Sequence, residues 1–246
     1  MSPDEARARL TALGFDDDAV GVLFDHFQAA EASGREGHGF RRIEWLESWS
    51  ELRVDVRPGR VVSEAGYERW RGGGALGYLV LDAAVRAQLA DPPQRGRLVV
   101  CDDTFPTGML GHWVRRLADG GLVGVLTATS PRRLRHPSGG SKLTGTNPLA
   151  IAVPSSDGRP VVADVSMGNL TFGDVLAGRG SEDELAPFGG GQAHKAFALA
   201  VGLQLLVDAL TPSDGYGAVL LVARPEADPV PAFRELAGGV RLPGDH

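Results

Sequence analysis

The pattern of apolar and polar positions divides the chain into short elements. Ser2-Pro3-Asp4-Glu5 has the order of a capping box: serine at the cap, proline at the first helical position, glutamate at the third. Asp16-Asp17-Asp18 offers a second helix start, its acids suited to the positive helix end. Val20, Leu23, Phe24 and Phe27 then follow at helical spacing as one apolar stripe. The next stretch, EASGREGHGFRRIEWL from Glu31 to Leu46, predicts a helix beginning at Gly37-His38-Gly39 and running through Trp45-Leu46. On such a helix His38 and Arg42 stand four residues apart and share a face. Glycine costs a helix about 1 kcal/mol relative to alanine, so two of them around one histidine need a reason. Either a loop ends there, or backbone or ligand must approach the imidazole closely.

Farther along, Val61-Val62 reads as a short strand, Ala75 to Leu89 as a helix and Val99-Val100 as a strand. Met109 to Leu117 reads as a helix and Leu122 to Leu126 as a strand. Ala150 to Val153 and Val161 to Ala163 flank the turn Ser155-Ser156-Asp157-Gly158 and predict a hairpin. Ala196 to Leu210 is apolar on nearly every side, the pattern of a helix buried in the core. Val219 to Val222 follows as a late strand, then a short helix. There is no internal repeat and no long linker. The expectation is a mixed α/β (α+β) protein in one compact unit. Residues 1–60 form a helical segment carrying His38, 61–190 a central sheet, and 191–246 a helix and strand packing back on the core.

Composition narrows the function. With 246 residues, 43% hydrophobic and 23% charged, the chain can bury a real core. A net charge of -6 argues against general nucleic-acid binding. The basic run Arg132-Arg133-Leu134-Arg135-His136 reads as a solvated loop. The lone cysteine, Cys101, follows an apolar run and reads as an inert core thiol. It excludes an internal disulfide or multi-cysteine zinc site, and no metal is expected. No basic-then-apolar leader and no long uninterrupted apolar window is present, so a cytoplasmic protein without a membrane partner is expected.

Several short motifs carry chemistry. Gly72-Gly73-Gly74-Ala75-Leu76-Gly77 satisfies G-x-G-x-x-G, but Tyr67 to Arg71 before it does not read as a buried strand, so the Rossmann context fails. Gly145-Thr146-Asn147-Pro148 reads as a turn before the strand Leu149 to Val153. Asp164 is either a strand-end carboxylate aimed into a site or a cap for the next helix. Pro187-Phe188-Gly189-Gly190-Gly191 leads through Gln192-Ala193 into His194-Lys195, a helix start suited to an anion or cofactor. His26, His112 and His136 read as structural.

In their order, these segments resemble the family of malate, L-lactate and ureidoglycolate dehydrogenases, with the piperideine-2-carboxylate and 2,3-diketogulonate reductases. The resemblance rests on Ala30 to Arg42, on LTGTNPLAIAVP from Leu143 to Pro154, on Asp164 to Gly168, and on Pro187 to Ala200. It implies a non-Rossmann fold with a mixed central sheet, NAD or NADP as cofactor, and a homodimer with sites near its interface. It implies a 2-oxo or cyclic 2-imino carboxylic acid as substrate. It makes His38 the proton donor, Arg42 the carboxylate clamp, and Asp164 the group that orients and charges His38. Arg41, Thr146 and Asn147 join Arg42 around the substrate. Gly145, Thr146, Asn147, Pro148, Ser166, His194 and Lys195 form the cofactor set. The chain departs from the family where N-S-x-H-F-G is replaced by Asp103 to Gly108, with Pro106 at the histidine, and where Gly37 replaces a serine. A tryptophan-containing segment has no counterpart between Gly180 and Leu185. An acid–base isomerase or lyase without cofactor, or a non-catalytic binding subunit, stands as the alternative.

Overall fold

The computed structural model describes residues 1–211 and 215–245. Helix α1 (Pro3–Ala12) starts at Ser2, whose hydroxyl accepts the Glu5 N–H, and α2 (Asp17–Ala32) starts at Asp16, whose carboxylate accepts the Ala19 N–H. Val20, Leu23, Phe24 and Phe27 are all buried, so the apolar stripe faces the core. The single helix expected around His38 is instead two pieces. A 3-10 turn covers Glu36–His38, and α3 (Arg41–Ser48) begins after it. The break follows from crowding. A Cβ on Gly37 would sit 2.0 Å from the Gly173 carbonyl oxygen, and one on Gly39 would sit 2.2 Å from the Glu31 carboxylate. The two glycines let other parts of the chain pass beside the histidine.

Strands β1 (Gly59–Glu64) and β2 (Tyr67–Arg71), helix α4 (Gly77–Ala90), β3 (Gly96–Asp102), α5 (Leu110–Asp119) and β4 (Val123–Ala128) come next. β5 (Leu134–His136) and β6 (Gly139–Thr144) form a separate two-stranded ribbon; β7 (Leu149–Val153) and β8 (Val161–Val165) form the expected hairpin. After α6 (Phe172–Leu176) and α7 (Ala193–Leu210), strand β9 (Ala218–Ala223) and helix α8 (Val230–Ala237) complete the elements. The main sheet has the order β1-β2-β3-β9-β4-β7-β8, antiparallel except for β2 beside β3. Cys101 is fully buried on β3, where burial pushes its thiol pKa well up.

Three expectations need correction. Tyr67–Arg71 is a strand. Its inward charge, Glu68, accepts hydrogen bonds from Trp70 Nε1 (3.1 Å) and Gln88 Nε2 (2.9 Å) and pairs with Arg97 at 3.3 Å. A satisfied buried carboxylate hides the strand from hydrophobic patterning. The following glycines therefore do run from strand to helix, yet the chain itself packs tightly against the first and last of them. A Cβ on Gly72 would meet the Asp103 oxygen at 1.9 Å, and the Gly77 N–H donates to the Phe105 oxygen at 3.3 Å. The Gly74 N–H is itself taken by the Asp103 carboxylate at 2.6 Å, where a phosphate would otherwise bind.

Second, α7 is a surface helix. Leu199, Leu205 and Leu206 are 51%, 61% and 45% exposed, while Ala196, Ala200 and Val207 face inward. With its leading turn it is also the only described helix long and apolar enough to cross a membrane. Here it packs beside β4, β5 and β6. Third, the basic run is no free loop: Leu134–His136 is β5, and only 12% of the Arg133 side chain is exposed.

Candidate active site

A cavity of about 780 Å³, its open mouth included, lies where six segments converge. The turn before α3 contributes His38, and α3 itself contributes Arg42. The loop between β3 and α5 supplies Phe105 to Leu110, and the end of β4 supplies Ala128 to Ser130. Thr146 and Pro148 before β7, Asp164 and Ser166 at the end of β8, and Thr171 to Gly173 at α6 close the far wall.

Arg42 is 5% exposed. Its Nε donates to the Gly37 oxygen at 2.8 Å, and the guanidinium lies 5.5 Å from the Trp45 ring and 5.8 Å from that of Phe172. Among the described residues no carboxylate pairs with it. A buried cation with free terminal N–H groups facing a cavity is a ready partner for a planar oxyanion. Burial lowers its pKa.

His38 shares that wall. Burial first, then the neighbouring Arg42 charge, lower its pKa to about 3, and Asp174 opposes the shift. The resting imidazole is therefore neutral. Its Nδ1 is buried without a hydrogen-bond partner, and a Cβ on Gly173 would come within 3.3 Å of Nε2. No hydrogen bond joins it to Asp164. The Asp164 Oδ2 instead accepts the Gly111 N–H of α5 at 2.7 Å. Asp164 thus lines the cavity and bonds the start of α5, which precedes it in the chain; the next helix, α6, is capped by Thr171 instead. Burial raises the Asp164 pKa.

The β3–α5 loop is fixed from behind. His26 Nε2 accepts the Met109 N–H at 2.9 Å, and Trp113 Nε1 donates to the Thr107 oxygen at 2.9 Å. His26 is completely buried against Tyr78 and Trp113, which holds its pKa far down. It is a neutral structural acceptor.

The expected site residues separate into three groups. His38, Arg42, Thr146, Pro148, Asp164 and Ser166 line the cavity. Gly145 and Asn147 stand behind its wall. Asn147 is fully buried, at a positive φ of 28°, and its Nδ2 donates to the Ala200 oxygen and to Gln204 Oε1, both at 3.0 Å, tying this turn to α7. A Cβ on Gly145 would collide with Ser130. Arg41, His194 and Lys195 are exposed and do not line the cavity. Sequence reasoning missed Arg35, Arg133 and Phe172. The only available signal for Arg133 was the buried Leu134 beside it, within a run that looked uniformly solvated.

For NAD(P), the wall offers hydroxyls at Ser130, Thr146 and Ser166 beside apolar Phe105, Leu110 and Pro148. A carboxamide-bearing ring needs that mixture, so the residues fit the nicotinamide end of such a cofactor.

The family model described as malate/L-lactate dehydrogenase matches residues 4–185. The malate dehydrogenase of Pyrococcus horikoshii is 27% identical over 171 residues, covering 68% of this chain and 47% of that protein. The delta(1)-pyrroline-2-carboxylate/delta(1)-piperideine-2-carboxylate reductase of Pseudomonas syringae pv. tomato is 27% identical over 232 residues, covering 80% and 65%. The chain thus spans about half the length of the first curated relatives it matches. In structure it resembles the delta1-piperideine-2-carboxylate reductase of the same Pseudomonas, with a TM-score of 0.84 at 22% identity over 99% of this chain and 89% of that one.

Proposed function

This chain belongs to the malate/L-lactate dehydrogenase family, a family of NAD(P)-dependent dehydrogenases and imino acid reductases, and from that premise we propose that it reduces a small 2-oxo or cyclic 2-imino carboxylic acid. One observation carries the reading: Arg42, buried and without a carboxylate partner among the described residues, lines the same cavity as a neutral histidine. Arg42 grips the substrate carboxylate through two parallel N–H bonds. That anchor presents the adjacent C=O or C=N to His38. NADH or NADPH, when bound among Ser130, Thr146 and Ser166, would supply the hydride.

His38 supplies the proton to the substrate oxygen or nitrogen. Its low resting pKa has a consequence for that role. A carboxylate on Arg42 cancels the charge that repels a proton from His38, so anionic substrate raises the affinity of His38 for a proton. Binding and protonation are thereby coupled. In the reverse direction the neutral imidazole is already a base.

The test is the loss of reduced-nucleotide absorbance with a panel of 2-oxo and cyclic 2-imino acids. Substrate-dependent oxidation of NADH or NADPH supports the reading. Carboxylate binding without any nucleotide binding or oxidation refutes it, in favour of a cofactor-free acid–base enzyme.

A further inference from the structure

The cavity holds more positive charge than one carboxylate can balance. Arg35, Arg42 and Arg133 all line it, against the single acidic side chain Asp164. Burial favours the neutral form of that acid. Arg133 is the informative one. Its guanidinium lies 4.1 Å over the Phe172 ring, the ring that Arg42 also approaches, at 5.8 Å. Sharing one centroid, the two guanidinium carbons are at most 9.9 Å apart. Arg133 Nε is buried without a hydrogen-bond partner. Its nearest acid, Glu182, stands 3.9 Å away and is itself 48% exposed. Burial lowers the Arg133 pKa; Glu182 and Tyr216 oppose the shift, and the Arg42 charge adds a smaller push downward. Two cations kept this close, one with no acid partner and the other with only a distant one, cost free energy until anions arrive.

Resting on the reading of Arg42 as carboxylate clamp, we propose that the preferred substrate is a 2-oxo acid bearing a second anionic group, and that Arg133 binds that group. Carbon chains of three to five atoms place two acidic groups a few ångströms apart, which the separation of Arg42 and Arg133 accommodates. Arg35 is exposed and stands at the edge of the site, adding long-range attraction. A nucleotide phosphate is the other source of the same oxyanion chemistry, so the experiment must separate the two.

Oxaloacetate and pyruvate differ by one carboxylate. Their affinities are measured by calorimetry without nucleotide, so the result is independent of any redox activity. The wild-type protein binds oxaloacetate at least about tenfold more tightly than pyruvate, the order of a charge-assisted hydrogen bond. In Arg133→Gln that ratio falls toward one, pyruvate affinity is kept, and the dissociation constants of NADH and NADPH do not change. Equal wild-type affinities for the two acids overturn the proposal, whatever the variant does. A variant that loses nucleotide affinity while keeping the diacid preference also overturns it, and assigns Arg133 to a nucleotide phosphate. Loss of both acids in Arg42→Gln, with nucleotide binding retained, supports the clamp on which the proposal stands; unchanged binding of both acids there would overturn it.

Discussion

His38 and Arg42 form a pair in which one charge governs the other. With Arg42 free, the histidine holds no proton in the neutral range, its pKa being about 3. With a carboxylate on Arg42, the largest of the repelling charges is cancelled, leaving burial and the weaker push of Arg35 and Arg179 against the pull of Asp174. The rate of reduction should therefore rise as pH falls, through an apparent pKa above about 3. Oxidation of the hydroxy acid, which needs the neutral base, should be favoured at higher pH. Rate profiles in both directions check this, and parallel profiles would remove His38 from proton transfer. His38→Asn should lower turnover about 10²–10⁴-fold with little change in carboxylate affinity. Arg42→Lys keeps the charge and loses the planar fork, so it should weaken carboxylate substrates far more than their amides. Equal losses for acid and amide would make Arg42 structural.

The helices and strands were largely legible because each leaves a local pattern. The Asp16 cap, the Val20 to Phe27 stripe and the β7–β8 hairpin follow from sequence directly. β2 did not, because Glu68 and Arg69 are stabilised by distant partners, Gln88 and Arg97 for one and Asp102 for the other. α7 misled in the opposite way, since an all-apolar helix looks buried whether or not a partner covers it. At the site, His38 and Arg42 were legible by type and spacing, although the continuous helix assumed for them is absent. The crossing that breaks that helix was invisible, because Gly37 and Gly173 meet 136 positions apart in sequence. It is testable at this scale. Gly37→Ala places a methyl against the Gly173 backbone and should cost about 1–3 kcal/mol of stability, as overpacking does. It should also displace His38, lowering turnover beyond the loss of folded protein. Denaturant melts beside active-site titration separate the two effects, and a fully stable, fully active alanine variant would contradict the crossing.

The molecule as a whole leaves apolar surface uncovered. Leu221 and Ile151 are exposed on β9 and β7, and in the sheet register both stand beside Val125 of β4. The outward leucines of α7 are exposed as well. Patches of this kind mark contact surfaces, and we propose a second copy of the chain as the occupant. Light scattering should give twice the 25.9 kDa mass, and a Leu205→Glu/Leu206→Glu variant should return it to the monomer. A monomeric wild type would exclude the dimer. Stability should also be acid-sensitive. Buried His26 and half-buried His38 have pKa values below that of the unfolded chain, so the unfolded state binds more protons. Their contribution is complete above about pH 6.5 and is lost as pH falls below it, by about 1.4 kcal/mol per pH unit for each group. Thermal melts across that range check the sign. For the central claim, reduction of a carbonyl anchored by Arg42 and protonated by His38, the direct measurement follows the hydride itself. NADH and NADPH carrying deuterium at the transferable C4 position are incubated with a 2-oxo acid, and the product is read by NMR. The account predicts deuterium at C2 of the hydroxy acid, appearing about 10²–10⁴-fold more slowly in His38→Asn; product formed with no deuterium at C2 would contradict it.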